Sequence, residues 1–233
     1  FDADGEGGDD CDDTNGSIWP GADEVIDGED NDCNGNGDDF AIDDSFGGFS
    51  IQGTDTSGGL GTALAVGTLD TDIAVAVLQD SDLYYSDSGD GAVHVFQASS
   101  LTASTSVSSA SWQFVADAAG GTLDGVWFAN DLDGDSKSEL LIGSTESAED
   151  GVAIGRVGIF SSGDFNSSIT PELSDAGHLL EGHGGHFGSA AVSWPDMDGD
   201  GVDEVLVSAP DEDAGVVYLC LLYTSDAADD SAC

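Results

Sequence analysis

The sequence predicts an all-β fold: a partial β-propeller of about three blades, preceded by an irregular N-terminal segment rich in Asp and Gly. Three observations predict it. From about residue 58 onward, short runs of Val, Ile, Leu, Tyr and Phe alternate with Gly-, Ser- and Asp-rich turns. A glycine-led apolar run recurs at 91–96, 155–160 and 215–219, at spacings of 64 and 60. An aspartate loop that begins at Asp131 begins again at Asp196, 65 residues later. A period of about sixty with several strands per repeat suits propeller blades better than shorter solenoid units.

Taken in order, residues 1–39 are almost all Asp, Gly, Asn and Cys, with Ile18, Trp19, Val25 and Ile26 as the few core formers. Such a segment buries too little apolar surface to order itself without a staple or a metal. Residues 40–57 read as a junction, and 58–219 as blades at about 58–115, 116–178 and 179–219. The strand-like runs are 74–78, 92–96, 139–142, 157–160, 204–207 and 216–219. The Ser-, Thr- and Ala-rich stretch 99–111 is expected to be an exposed loop or edge strand. No amphipathic helix is readable. No run of eighteen apolar residues exists, so no membrane insertion is expected of this fragment.

The ends are expected to be artificial. The chain starts at Phe1, which implies a missing N-terminus. Residues 220–230 read Cys-Leu-Leu-Tyr-Thr-Ser-Asp-Ala-Ala-Asp-Asp, the same string as one translated frame of a common transposase-library adapter. Residues 220–233 are therefore expected to be translated adapter and are set aside from the fold, as a tag would be.

Acidic residues number 48 against Lys137 and Arg156 alone, for a net charge of −46. This balance excludes nucleic acid and anionic lipid as partners and attracts divalent cations. It also repels itself, so the compact state needs cations or salt. With the tail set aside, Cys11 and Cys33 remain, 22 positions apart with no histidine nearby. That arrangement suits one disulfide better than a zinc site, with two free thiols as the other reading. Closing the loop would contribute about 3 kcal/mol and fits an oxidising, extracytoplasmic location.

The strongest constellation is Asp196-Met197-Asp198-Gly199-Asp200-Gly201-Val202-Asp203-Glu204. Asp196, Asp198, Asp200 and Glu204 stand at loop positions 1, 3, 5 and 9, and Val202 at position 7 can offer its carbonyl. Calcium takes six to eight hard oxygens in a flexible shell, and alternate carboxylates on a tightly wound loop converge on one point. Gly199 and Gly201 permit that winding. Asp131, Asp133, Asp135, Lys137 and Glu139 repeat the spacing, with Lys137 ligating through its carbonyl while its side chain points to water. Ser136 replaces Gly201, at a cost of about 1 kcal/mol if φ is positive, so this site is expected to be the weaker. In the first repeat, Thr68 falls at position 1 and Ala76 at position 9, and no calcium is expected there. The same register occurs near the N-terminus, in Asp2, Asp4, Glu6 and Asp10, and again in Asp30, Asp32, Asn34 and Asp38.

Other signals are bland. His178, His183 and His186 cluster among glycines, but no strand or helix spacing orients them as a metal site. His94 alternates within a strand and reads as solvated. Trp19, Trp112, Trp127 and Trp194 read as core or interface anchors. No nucleophile elbow or phosphate-cradling loop is present.

At these residues the chain resembles two families. Phe187-Gly188, then 196–204, then Val207-Ser208-Ala209-Pro210, resembles the FG-GAP repeat of integrin α-chain propellers, with Ser208 departing from a Gly-Ala-Pro ending. The first repeat has Leu60-Gly61 in place of Phe-Gly, and the second has no recognisable opening. The resemblance implies four-stranded blades with calcium in the hairpin between the first two strands, and a larger ring of which this chain is a piece. Residues 2–39 resemble a metal-binding motif of secreted bacterial surface proteins, through Asp-Cys-Asp-Asp-Thr-Asn at 10–15, Pro-Gly-Ala at 20–22 and Asp-Asn-Asp-Cys at 30–33. Ile26 stands where that family has a further cysteine, which leaves Cys11 and Cys33 to pair. Together the resemblances imply a non-enzymatic, secreted or cell-surface protein. Calcium would rigidify it as a scaffold for adhesion or for an extracellular protein or polysaccharide ligand. An accessory region of a secreted hydrolase or lyase is the alternative, and a transition-metal-binding surface protein is a third reading.

Overall fold

The computed structural model describes residues 11–12, 14–22, 29–35, 49–54, 58–69, 72–79, 91–117, 121–146, 148–149, 152–165 and 170–222. The chain forms two compact units, residues 1–48 and 49–233, which divide inside the expected junction.

In the first unit the Cys11–Cys33 disulfide joins backbones whose Cα atoms lie 5.7 Å apart. The described residues form turns. Ile18 is buried, and the Trp19 and Gly21 amides donate to the carbonyls of Asn31 and Asp32 at 2.9 and 3.0 Å. Among the described residues of this unit, one buried apolar side chain, one disulfide and a few backbone hydrogen bonds hold the turns together.

The second unit is all-β. Its strands are β1 (Ser50–Gln52), β2 (Leu60–Leu69), β3 (Asp72–Gln79), β4 (Ala92–Gln97), β5 (Ser104–Ser106), β6 (Trp112–Val115), β7 (Gly125–Ala129), β8 (Glu139–Ser144), β9 (Ala148–Glu149), β10 (Val152–Ala153), β11 (Arg156–Phe160), β12 (His178–Glu181), β13 (Ala191–Trp194), β14 (Glu204–Ala209) and β15 (Val216–Cys220). All six strand-like runs fall in strands, namely β3, β4, β8, β11, β14 and β15.

Three antiparallel meanders result, ordered β2-β3-β4-β6, β7-β8-β11-β12 and β13-β14-β15. Two small pairs, parallel β1/β5 and antiparallel β9/β10, complete the described sheets, and none closes on itself. Side chains alternate between faces along a strand, and β8 shows the consequence. Leu140 and Ile142 enter a core shared with the first meander, through Ala74, Leu78, Val93 and Phe114. Leu141 enters a core shared with the third, through Val205, Val207 and Ala209. Every residue of β8 is buried, which explains its unbroken apolar run.

A glycine before the third strand of each of the first two meanders fits the next repeat against the last. Gly91 and Gly155 have φ of 66° and 71°, and a Cβ on either would meet the carbonyl oxygen of Leu123 or Phe187, at 3.0 and 2.3 Å. Leu123 is therefore the structural counterpart of Phe187, in a repeat whose opening is unrecognisable in sequence. Both side chains are buried.

One expectation is corrected. His94 is buried, not solvated, because the first meander is covered on both faces: Val93 and Val95 enter one core while Val77 and Phe96 pack with Val107 in another. The stretch 99–111 contains the edge strand β5, which pairs with β1 and buries Thr105 and Val107. The expected blade boundary at 178/179 cuts through β12, which pairs with β11. Finally, β15 runs through Cys220, which is fully buried, and Leu222 packs on the same core. These two belong to the segment expected to be adapter-derived, of which residues 223–233 lie outside the described residues.

Candidate metal centre

Each of the two later meanders opens its first hairpin into a long loop. Ala129 pairs with Glu139 and Trp194 with Glu204, leaving 130–138 and 195–203 as connections. In the first meander Leu69 pairs with Asp72, so only two residues turn the chain, and Ala76 lies buried in mid-strand. The degenerate repeat thus has a two-residue connection where the later repeats have nine, with Thr68 and Ala76 in place of the acids at positions 1 and 9.

The two loops wind alike. Asp131 accepts from the Gly134 and Ser136 amides at 2.7 and 2.9 Å, Asp133 from Asp135 at 3.0 Å, and Asp135 from Lys137 at 2.8 Å. Asp196 accepts from Gly199 and Gly201 at 2.6 and 3.1 Å, Asp198 from Asp200 at 3.1 Å, and Asp200 from Val202 at 3.0 Å. Positions 4 and 6 take positive φ in both, 84° and 66° at Gly134 and Ser136, 86° and 99° at Gly199 and Gly201. Carboxylates thereby turn inward while their amide bonds occupy only part of each oxygen's accepting capacity.

Asp131, Asp133 and Glu139 bring one oxygen each within 4.8 Å of one another, as do Asp196, Asp198 and Glu204. Asp135 and Asp200, at position 5, are not part of these clusters and instead brace the turn. Glu139 is fully buried. Its Oε2 accepts from the Leu132 amide at 2.6 Å and its Oε1 has no partner. Burial above all, then the charges of Asp133, Asp135 and Asp131, push its carboxyl up to about 8, against the opposing pull of the Leu132 amide. Glu204, also buried, accepts from the Met197 amide with both oxygens at 3.0 Å. Three converging hard oxygens in each loop, with a buried unpartnered Glu139 oxygen in the first, fit a divalent cation held by oxygen ligands.

The Lys137 side chain is partly exposed, and its Nζ donates to Ser162 Oγ at 2.8 Å and lies 3.4 Å from Asp135 Oδ2. Ser161 Oγ donates to Asp133 Oδ2 at 2.8 Å. The turn after β11 thus buttresses the first loop, a contact that residues 131–139 alone do not signal. The other cation, Arg156, is bound by Glu181 at 2.7 Å and lies 3.6 Å from Asp117.

In the N-terminal unit Asp30 accepts from the Asn34 and Gly35 amides at 3.0 and 2.8 Å, and Asp32 from Asn34 at 3.1 Å. Cys33 and Gly35 take φ of 61° and 98°, positive at positions 4 and 6 as in the other loops. Asp2, Asp4, Glu6, Asp10 and Asp38 lie outside the described residues. Among the histidines, His186 Nδ1 meets Asp211 Oδ2 at 2.6 Å, beside a cavity of about 420 Å³, and no cluster of metal-ligating groups among the described residues includes His178, His183 or His186.

Fold and loops together define an all-β repeat protein whose second and third repeats carry cation-shaped acidic loops. Residues 187–220 match the FG-GAP repeat family model, and residues 10–39 match the Cu-binding_MopE metal-binding motif model. No curated protein matches the chain. The FG-GAP match begins at Phe187, which stacks edge-on against Tyr218, and at Gly188, where a Cβ would meet the Arg156 carbonyl at 2.9 Å. FG-GAP repeats are non-catalytic and support a β-propeller-like class, and both motifs are typical of extracellular proteins. Among the described residues no helix is long and apolar enough to cross a membrane.

Proposed function

We propose that this chain is an extracellular calcium-binding repeat protein, a partial propeller of about three FG-GAP-like blades that calcium stiffens for adhesion or ligand binding. One observation carries the reading: two loops, one repeat apart, share the same winding and each aim a buried glutamate at two converging aspartates. Asp131, Asp133 and Glu139 would hold one ion, and Asp196, Asp198 and Glu204 the other. Asp135 and Asp200, with the carbonyls of Lys137 and Val202, would complete the shells. Each ion would supply the positive charge that these acids lack. The 30–38 loop would take a third, since its described residues 30–35 share the positive φ at positions 4 and 6 and turn Asp30 onto the Asn34 and Gly35 amides.

Calcium titration of the full chain by calorimetry tests this. At least two ions per chain are expected, with Asp131→Ala and Asp196→Ala each removing one. A stoichiometry of zero overturns the reading. The Cu-binding_MopE match favours a second reading for the N-terminal unit, a transition-metal site. With its described cysteines closed in a disulfide, that unit offers oxygen donors, which suit calcium better. Copper outcompeting calcium there would reverse the choice.

A further inference from the structure

The two metal loops touch through a residue that belongs to neither acid cluster. Asp203 stands at position 8 of the second loop. Its amide donates to the carbonyl of Asp131, position 1 of the first loop, at 3.0 Å. Its carboxylate faces both ways: Oδ1 accepts from the Asp196 amide at 3.1 Å, and Oδ2 accepts from Asn130 Nδ2 at 3.0 Å. The Asn130 amide in turn donates to Ser193 Oγ, on β13, at 3.3 Å. Asp203 therefore holds the start of its own loop with one oxygen, and the chain entering the neighbouring loop with the other.

The preceding pair of repeats offers an internal contrast. Ser138, at position 8 of the first loop, meets Thr68 hydroxyl to hydroxyl at 3.1 Å. The same place in the repeat makes the same kind of neighbour contact, but the hairpin it reaches has no loop to order. Only between the second and third repeats does the contact join two acid clusters.

We propose that Asp203 couples the two loops, so that a divalent cation bound at 196–204 raises the affinity of 131–139, and the reverse by the same factor. The inference rests on the reading that both loops hold calcium. An ion in the second loop draws Asp196, Asp198 and Glu204 together and orders the backbone between them, Asp203 included. An ordered Asp203 pins the Asp131 carbonyl and the Asn130 side chain. Part of the entropy cost of ordering the first loop is then met before its ion arrives. That is positive coupling without a change of fold, and it is reciprocal by thermodynamic necessity.

Calorimetric calcium titration of the full chain and three variants tests the coupling. Asp198→Ala empties the second loop and should weaken the first by about fivefold or more. Asp203→Ala keeps the amide bond to the Asp131 carbonyl but loses both carboxylate bonds, so it should leave both ions bound and bring the first loop's affinity part of the way down to the Asp198→Ala value. Asn130→Ala changes an exposed residue, removes one hydrogen bond, and should lower the coupling without touching the second loop's own affinity. Two ions bound independently in the unaltered chain overturn the coupling and leave the metal reading standing. Full cooperativity in both Asp203→Ala and Asn130→Ala also overturns it. Calcium bound at only one loop of the unaltered chain overturns the coupling, and absence of calcium binding at both loops overturns both inferences together.

Discussion

The loops at 131–139 and 196–204 share one backbone path and differ in nearly everything around it. The second is exposed along its tip, carries glycine at both positive-φ positions and is anchored by the buried Val202 and Glu204. The first carries Ser136 at φ 66°, folds Lys137 back beside its own Asp135, leans on Ser161 and Ser162, and buries a Glu139 whose outer oxygen has no partner. The common winding comes from residues at fixed spacing, aspartates that accept amides two, three and five residues on. The differences come from neighbours distant in sequence. Site geometry is thus a local property of the loop, and the balance between metal-free and metal-bound states is set from outside it.

The largest expected effect is the loss of an ion. Asp131→Ala and Asp196→Ala remove the carboxylate that accepts from positions 4 and 6, so each should unwind its loop as well as delete a ligand. Retention of both ions in either variant, read by calorimetry, would break the equivalence of the two loops. Next comes pH. The Glu139 carboxyl has a folded value of about 8 against an ordinary 4.5. The unfolded chain gives up that proton first. In chelator the fold should therefore be most stable below about pH 4.5, lose stability as pH rises to about 8, and lose no more above. Denaturant midpoints across that window measure it, with Glu139→Gln expected to flatten the slope. Calcium should abolish most of the loss by pairing the charge.

How much of this was legible in the sequence depends on the range of the interaction. The strands were legible because runs such as 140–142 are apolar throughout, and the repeat because glycine-led runs recur. Of the carboxylates expected to converge at positions 1, 3, 5 and 9, the structure gathers those at 1, 3 and 9, while position 5 braces the turn. Illegible were the contacts made across repeats. Nothing near Lys137 announces Ser162, nothing near Asp203 announces Asn130, and His94 looks solvated until a covering layer from 101–110 is placed over its sheet. Leu123 as the counterpart of Phe187 was hidden for the same reason: the constraint is a carbonyl approaching Gly91, and any buried apolar side chain satisfies it.

Two smaller predictions sharpen the comparison between the loops. Ser136→Gly relieves a left-handed serine and should stabilise the protein by about 1 kcal/mol, with tighter calcium binding at the first loop alone. An unchanged melt would mean that Ser136 carries no strain there. Lys137→Gln removes the ammonium beside Asp135 and should strengthen calcium binding at that loop by a few-fold, in keeping with the worth of a partly exposed ion pair. Weaker binding would instead show that the lysine organises the loop through Ser162.

The central claim is that these loops are structural metal sites, and the most direct test pairs calcium calorimetry on the full chain with thermal melts in calcium and in chelator. The account predicts two or more ions per chain and a melt that falls on chelation, since each site filled at a hundred times its Kd contributes about 2.7 kcal/mol. No calcium uptake, with a melt indifferent to chelator, would contradict it and leave the aspartates as a means of solvation.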